Sequence, residues 1–492
     1  MGPTGLSRTV VAVAVALAGL GGCQSDYRSS SALVASQELA GAYPEAADTA
    51  AKALAAAGTD SVSRVIYLLE AGRTAQIAGR IEDSTRYYDT AFQAVLPYLD
   101  TEPEARVTEA ITTTLVNQTV SEYRGTVTDR IMLNTLQAIN RLRLGQPAQA
   151  RIELNRARAW QQDAVEKAQE EIERSERALS EKAEDEGVPE ESLEVPAALR
   201  DAYSGLGDLE AYADWRNPFT SWLRGIFLIA NASDVGDLGN ARFDLREVVA
   251  MNPDASPLVD PDLESLELNR FTPSTWVVFM SGLAPRLEEF RLDIPIPVGD
   301  VNYVAAAFPV LEPVPDAPAG LRLEVGDQVV EGVLLADVDA MIAADYSRRL
   351  PVIVMQEVLS AAIKTVGTWA ASQAAGDSGG LVNLAGIIYQ AVTTAADLRT
   401  WRTLPKFIYA ARTSTPPSGT ISVRTSDDRL LGTVRVQPSE HNLVVATLPG
   451  PAAPQAGIES IRLAPGEPSP PPPPEVDPGS TVPSPSERNP AE

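Results

Sequence analysis

The stretch TWVVFM, residues 275–280, marks the point at which the chain changes from a helical pattern to a strand pattern. Before it, residues 32–253 are rich in alanine and have few strand signals. After it come segments that favour strands, at residues 301–311, 321–335 and 406–448. Strands, helices and further strands in this order are typical of an α+β domain with a largely antiparallel or mixed sheet. The sequence therefore predicts a mixed fold, in which an all-α domain at residues 32–270 precedes an α+β domain at residues 271–448.

Prolines set two further expectations for the C-terminal half. Residues 337–374 favour one or two helices with a break near Pro351, because proline lacks the N–H that an interior helix position needs. From residue 449 the chain is rich in Pro, Ser and Glu, and Pro470–Pro474 is a run of five prolines. A segment of this composition cannot bury a core. Residues 449–492 are therefore predicted to be a disordered, Pro-rich tail.

Glycines at a recurring spacing predict helical hairpins in the N-terminal half. Each is followed at +5 and +12 by a small or apolar residue, and the four are Gly41, Gly79, Gly145 and Gly236. Glycine ends a first helix in a conformation that a Cβ resists, and small residues seven apart let the second helix approach closely. The pattern resembles the tetratricopeptide repeat, although the glycines are 38, 66 and 91 residues apart instead of about 34. A plain helical bundle is the alternative.

An acidic insert, residues 160–195, interrupts the predicted hairpins. Between residues 163 and 194 it holds thirteen acidic and four basic side chains. A thin seam with helical spacing predicts a helix that lies against one neighbour, and its members are Val165, Ala168, Ile172, Ser175 and Leu179. The insert is either a solvated helix face or an arm that contacts a basic partner.

The first residues predict export and lipidation. Arg8 and the apolar stretch at residues 10–20 have the charge and size of a signal peptide, and the stretch is too short to span a bilayer. LGGC, residues 20–23, resembles the lipobox of bacterial lipoproteins, in which the cysteine is acylated. The resemblance implies a signal peptide at residues 1–22 and a lipidated linker at residues 23–31. An ordinary signal peptide with an incidental cysteine, or an uncleaved anchor, is the alternative.

Cys23 is the only cysteine of the chain, so no intrachain disulfide is expected. Two or more acyl chains anchor a protein stably, whereas a single chain anchors it marginally. Gln24 follows the cysteine, where an aspartate would usually retain a Gram-negative lipoprotein in the inner membrane. The predicted location is therefore the bacterial cell envelope, with the lipid in the outer membrane and the protein facing the periplasm.

The composition limits the predicted partners and cofactors. The formal net charge is −26, from 66 acidic and 40 basic residues. Nucleic-acid phosphates and anionic lipid headgroups repel a chain of this charge, so neither is predicted as a partner. One histidine and one cysteine cannot form a zinc site, and no P-loop or dinucleotide-binding motif occurs. No cofactor and no metal are predicted, and the membrane contact is expected to be the lipid anchor.

Three short stretches carry a wider resemblance. They are RIMLNTLQAIN with the LG that follows (residues 130–145), SGLAPR with EEF (281–290) and ADLRTWRTLP (396–405). Together they resemble a family of uncharacterised bacterial envelope lipoproteins with a tetratricopeptide-like N-terminal half, over most of residues 32–448. The resemblance implies export, lipidation and a scaffold-like role, and it supplies no catalytic residue.

Two of these stretches also predict specific contacts. Asp397 is expected to pair with Arg399 or Arg402 where a helix meets a strand, and a structural junction is favoured over a binding site there. The second stretch is expected to form a tight turn after a strand, and a buried pair of Arg286 with Glu289 is a further expectation.

The sequence GDSGG, residues 376–380, matches the surroundings of the nucleophile in chymotrypsin-like proteases. The only histidine, His441, comes too late for the chymotrypsin order. The α/β-hydrolase order is available as Ser378, then Asp427 or Asp428, then His441, but the residues before the motif favour a helix where that fold needs a strand. A glycine-rich loop between two helices is the favoured interpretation.

The sequence as a whole favours a non-catalytic, lipid-anchored scaffold or adaptor. Stacked helical hairpins form an extended concave face that suits binding of other, unidentified envelope proteins. The alternatives are a serine hydrolase that uses Ser378 and a structural subunit of an envelope export complex.

Overall fold

The structure is a computed structural model that describes residues 22–96, 121–204, 215–298, 301–374 and 396–463. Most of the predicted signal peptide, the GDSGG stretch and the chain from residue 464 onward lie outside these residues. Within them, a helical N-terminal region is followed by a sheet-containing region. The predicted mixed fold is therefore confirmed.

Successive helices of the N-terminal region pack as pairs joined by short turns. Polar caps begin several of them, such as the capping box of Thr126 and Asp129 and the side chain of Asn217. The helices are α1 (Gly22–Leu39), α2 (Tyr43–Ala57), α3 (Arg64–Ile77), α4 (Ile81–Val95), α5 (Val127–Arg143), α6 (Pro147–Asp163), α7 (Gln169–Asp185), α8 (Ala197–Ser204), α9 (Pro218–Ala230), α10 (Val235–Met251) and α11 (Ser256–Leu268).

Three of the predicted turn glycines end the first helix of a hairpin in the left-handed conformation. Their φ angles are 77° at Gly41, 75° at Gly79 and 67° at Gly145. The residues at +5 and +12 lie on the second helix of each pair, and most of them are buried: Ala46, Ser84, Ala91, Ala150 and Ala157. The turns are confirmed at these three positions, whereas membership of the tetratricopeptide repeats stays a prediction.

The prediction that Gly236 forms a hairpin turn is wrong. This glycine lies inside α10, and the chain reverses before it, between Ala230 and Val235. The side chain of Asp234 accepts a hydrogen bond from the N–H of Asp237 at 3.0 Å and caps the helix. A polar cap here starts the second helix without a left-handed glycine.

A different glycine sets the distance between α3 and α4. A Cβ built on Gly72 would lie 2.4 Å from the ring of Tyr88, which is fully buried. That ring also meets Trp401 edge-on, with centroids 6.0 Å apart. The ring is enclosed, so it cannot yield space at low cost.

We therefore expect Gly72→Ala to lower the free energy of unfolding by about 1–3 kcal/mol, the usual cost of overpacking. Gly239→Ala is the matched control, because Gly239 is also helical but exposed, and a Cβ at this position would meet no other atom within 4 Å. The free energy of unfolding of the control should rise by about 0.4–1 kcal/mol. Urea unfolding of both variants checks this, and equal stabilities would contradict the close packing.

The prediction of a separate linker at residues 23–31 is wrong, because α1 already begins at Gly22. Tyr27, Ser31, Val34 and Glu38 follow helical spacing and are all buried. The hydroxyl of Tyr27 donates a hydrogen bond of 2.5 Å to the carbonyl of Thr400. This buried face extends the helix towards the N-terminus and joins it to the core.

The acidic insert continues α6 without a break. A π-helical turn, Ala164–Ala168, joins α6 to α7, and α7 packs against a long helix of the C-terminal region. Ala164 and Leu179 are buried, whereas Val165, predicted on the seam, is 39% exposed. The extra residue in the π turn shifts the buried face of the helix from Val165 to Ala164. The seam prediction therefore holds only in part. We call residues 147–185 the arm.

The described part of the C-terminal region contains three sheets and one long helix, α12 (Val338–Ala374). The strands are β1 (Ser274–Ser281), β2 (Arg286–Val298), β3 (Val301–Glu312), β4 (Arg322–Val325), β5 (Gln328–Glu331), β6 (Val333–Asp337), β7 (Phe407–Ser414), β8 (Thr420–Arg424), β9 (Leu430–Arg435), β10 (Asn442–Leu448) and β11 (Gly457–Arg462). A mixed sheet has the order β11-β10-β1-β7-β6, a second has the order β5-β4-β8-β9, and β2 pairs with β3.

Strand β1 is the centre of the mixed sheet, parallel to β10 and antiparallel to β7. Trp276, Val278 and Met280 belong to a core shared with the helices, whereas Val277 and Phe279 belong to a core between the two larger sheets. The predicted boundary near residue 270 is therefore a change of secondary structure within one continuous core.

Two expectations based on proline are wrong. Helix α12 runs through Pro351 without a break, because its packing against β3 and α7 holds the helix together. The predicted disordered tail starts too early, since β11 pairs with β10 and Ile461 and Leu463 are buried. The part of the tail from residue 464 lies outside the described residues.

Candidate functional site

A groove lies between the arm, the start of α5, α12 and the segment before β7. It consists of two adjoining cavities of about 350 and 250 Å³ that share Val127, Arg130, Ala168 and Glu171 as lining residues. We call it the arm groove. The π turn of the arm lies along both cavities, and single π turns in helices are frequent at functional sites.

The smaller cavity presents aromatic rings covered by guanidinium groups. Arg130 lies 5.5 Å from the ring centre of Trp160, and Arg156 lies 4.1 Å from that of Phe92. The indole Nε1 of Trp160 donates to the side chain of Asn134 at 2.9 Å, which fixes the ring. The result is a rigid surface of the kind that anchors protein interfaces.

The larger cavity is lined by Trp215, Asp345 and Arg349, among other residues. Trp215 Nε1 donates to Asp345 Oδ1 at 3.1 Å, and Arg349 Nε lies 3.3 Å from the same oxygen. Within the described residues, Arg349 Nη2 and Asp345 Oδ2 are buried without a hydrogen-bond partner. Polar atoms of this kind are costly unless a further group satisfies them.

The predicted junction at residues 397–402 forms one wall of the larger cavity. Asp397 pairs with Arg399 at 2.7 Å, as predicted. Arg399, only 2% exposed, also donates to the carbonyls of Val62 at 3.2 Å and Ser121 at 3.0 Å. The segment therefore ties the helical half to the sheet and contributes two charged side chains to the groove.

Replacing Arg399 by lysine should lower the free energy of unfolding by about 1–3 kcal/mol. Lysine keeps the charge but cannot reproduce the planar fork that serves Asp397 and two carbonyls. Arg86→Lys is the control, since Arg86 is 63% exposed in a local pair with Asp83, and it should change stability by well under about 1 kcal/mol. Thermal unfolding of the two variants checks this, and an equal effect would refute the role of Arg399 as a tie.

The second predicted pair is wrong. Arg286 bonds to Glu312 at 2.5 Å and lies 3.1 Å from Glu288, and it is 44% exposed, whereas Glu289 pairs with Arg291 at 2.7 Å. Residues 286 and 289 point to opposite faces of β2, because strand side chains alternate. After β1 the chain bends at Gly282, whose φ angle is 73°.

The geometry around His441 differs from a catalytic triad. Ser378 lies outside the described residues. His441 is half-buried, and its Nδ1 accepts a hydrogen bond from the backbone N–H of Ser274 at 3.3 Å. Burial and a neighbouring arginine lower the pKa of His441. Asp427 accepts from the hydroxyl of a nearby threonine, and Asp428 lies 3.6 Å from an arginine, so both carboxylates bond elsewhere.

A second cluster of titratable groups is buried between α1, α3 and α4. Glu38 is fully buried, and neither of its oxygens has a hydrogen-bond partner within the described residues. Burial raises the pKa of Glu38 to about 8, although Arg73 acts in the opposite direction. The folded protein therefore holds Glu38 as the neutral acid at neutral pH.

Glu38 should make stability fall as pH rises. Between the ordinary pKa of about 4.5 and the folded value of about 8, the folded state binds the proton that the unfolded state has lost, so the free energy of unfolding declines across this window. Glu38→Gln removes this decline. The variant should resemble the parent near pH 4.5 and exceed it by at least about 1.4 kcal/mol above pH 8, the equivalent of one pKa unit.

Urea unfolding of both proteins at several pH values measures this difference, in which the contributions of other titrating groups cancel. Glu45→Gln on the exposed side of α2 is the control and should show no such trend. A constant difference between parent and Glu38→Gln across the pH range would rule out a proton held at Glu38.

Only part of the groove is evident from the sequence. Asp397, Arg399 and Arg130 lie in stretches that the sequence marks, whereas no predicted contact includes Trp160 or Trp215. The available signal was a set of tryptophans and arginines inside a strongly acidic chain, although nothing in their spacing shows that they meet.

No family model matches the sequence, and comparison with curated proteins and with solved structures gives no match. Among the helices of the described ranges, none has both the length and the apolar character that crossing a bilayer requires.

Proposed function

We propose that this chain is a lipid-anchored, non-catalytic scaffold of the bacterial cell envelope, which binds another envelope protein in the arm groove. Cys23 would carry the lipid, in the outer membrane, with the protein facing the periplasm. The observation that best supports the proposal is the position of Tyr27, which is buried in the core only four residues after Cys23.

Such a short connection would hold the body close to the membrane. Cys23 and Tyr27 belong to the same helix, α1, and four helical residues span only about 6 Å. A lipid on Cys23 would therefore fix the distance of the folded body from the bilayer. A scaffold benefits from this, because its partner meets the groove at a defined height.

The arm groove supports the choice of a protein partner. Its walls combine fixed aromatic rings, stacked arginines and carboxylates. Tryptophan, tyrosine and arginine supply most of the binding energy at protein interfaces. An extended peptide segment of a partner would pass from one cavity to the other along the π turn.

Metabolic labelling with palmitate tests the anchor. We expect labelled protein from the parent chain, and loss of label together with release from the membrane fraction for Cys23→Ser. Unlabelled parent protein, or a mature chain that retains residues 1–22, would disprove the anchor.

Photo-crosslinking in living cells tests the groove. A photoreactive residue at Ala159, which lines the smaller cavity, should give a defined adduct with one protein. The same residue at Glu264, exposed on α11, is the control and should give no such adduct. Equal adducts at both positions, or none at Ala159, would argue against partner binding in the groove.

A further inference from the structure

A small pocket lies directly beside the first turns of α1. Its volume is about 110 Å³, and its lining includes Arg28, Arg286, Glu288 and Arg402. Water occupies about 30 Å³ per molecule in the liquid, so the pocket has room for a group of a few heavy atoms. We call it the anchor pocket.

Three guanidinium groups face one carboxylate in the anchor pocket. Arg28 and Arg286 lie 2.7 and 3.1 Å from the two oxygens of Glu288, and Arg286 also bonds to Glu312 at the rim, at 2.5 Å. Three arginines and one carboxylate line the pocket, and Glu312 lies outside the lining. A third carboxylate, Glu70, contacts Arg402 from the core, where burial raises its pKa and disfavours its charged form. Such an excess of arginine is unusual for a chain whose formal net charge is −26.

Arg402 is the arginine that these carboxylates leave unsatisfied. Its backbone N–H donates to the buried carboxylate of Glu70 at 3.1 Å, which fixes the position of the residue. Its Nε is buried and has no hydrogen-bond partner among the described residues. A buried guanidinium nitrogen without an acceptor is costly. A shift of the Arg402 side chain towards an anion in the pocket would remove that cost.

We propose that the anchor pocket binds a phosphate group, and that in the cell this phosphate belongs to an anionic phospholipid of the membrane that holds the protein. The arginine fork matches phosphate oxygens in geometry, and arginine pairs with phosphate through charge-assisted hydrogen bonds. The choice of a lipid as the source rests on the proposed lipidation of Cys23, five residues before Arg28.

The negative net charge does not prevent this interaction. At physiological ionic strength the Debye length is about 8 Å, so carboxylates on distant surfaces are screened from the pocket. The local excess of arginine therefore decides what binds there. The global repulsion acts on the rest of the body and keeps other faces away from an anionic bilayer.

The test uses the chain from residue 23 to residue 492 with Cys23→Ser, so that no acyl chain contributes. Flotation compares vesicles of phosphatidylcholine with vesicles that also contain phosphatidylglycerol, and calorimetry measures binding of inorganic phosphate and of glycerol phosphate. We expect flotation only with phosphatidylglycerol, and binding of glycerol phosphate in solution. Arg402→Gln should weaken both about tenfold, the usual effect of losing a charged hydrogen bond.

Two further variants make the test specific. Arg28→Gln, on the half-exposed side of the pocket, should also weaken binding, and Arg402→Lys should restore part of it. Arg80→Gln is the control, because Arg80 lies in the turn before α4, pairs with Asp48 on α2 and does not line the pocket. This variant should bind like the parent. Thermal unfolding of each variant confirms that it is folded.

Each outcome decides one part of the proposal. Binding of glycerol phosphate without flotation would overturn the lipid source, and absence of both would overturn the phosphate site. An equal loss of binding in Arg80→Gln and Arg402→Gln would show that the interaction depends only on the overall charge, and it would overturn the site as well. These assays use an unacylated chain, so their failure leaves the palmitate result unaffected.

Discussion

Strand β1 is buried on both faces, and the two cores of the protein meet on it. Its even-numbered side chains, Trp276 among them, pack against the helices, and its odd-numbered ones, such as Phe279, pack against the four-stranded sheet. Trp276 Nε1 donates to Asp262 at 2.8 Å, and Arg412 on the adjacent strand pairs with the other oxygen of Asp262 at 2.7 Å. This buried bridge joins the last helix of the N-terminal region to the sheet. A polar substitution in β1 would disturb both cores together, because no solvent-facing side is available.

The N-terminal helices also depend on a segment far away in the chain. Thr400 and Arg402 contact Tyr27 and Glu70, and Arg399 contacts the chain at Val62. Contacts across more than three hundred residues carry a large loop-closure cost, which burial and charge-assisted hydrogen bonds must offset. The helical half therefore depends on contacts with the C-terminal region and is not an independent structural unit. This dependence explains why the predicted boundary near residue 270 separates types of secondary structure but not cores.

The sequence predicted those features that are set locally. Gly41, Gly79 and Gly145 were predictable because each turn needs a left-handed residue, which is a property of a single position. The prediction of a turn at Gly236 was wrong, because a polar cap can start a helix equally well. The prediction of a helix break at Pro351 was wrong, because long-range packing outweighs the tendency of proline to interrupt a helix. The groove as a whole could not be predicted, since its walls come from seven separate parts of the chain. Spacing within one part says nothing about the others.

The proposed lipid on Cys23 and the proposed phosphate site in the anchor pocket would act together on the orientation of the protein. A lipid on Cys23 alone would fix a distance from the bilayer and would leave the body free to rotate about α1. Binding of a phospholipid in the anchor pocket would add a second point of contact, and the body could then rotate only about the line between the two points. Repulsion between the acidic surface and an anionic bilayer would restrict that rotation further, within the screening length. The arm groove would then face the periplasm consistently, which is the condition under which a scaffold presents one surface to its partner.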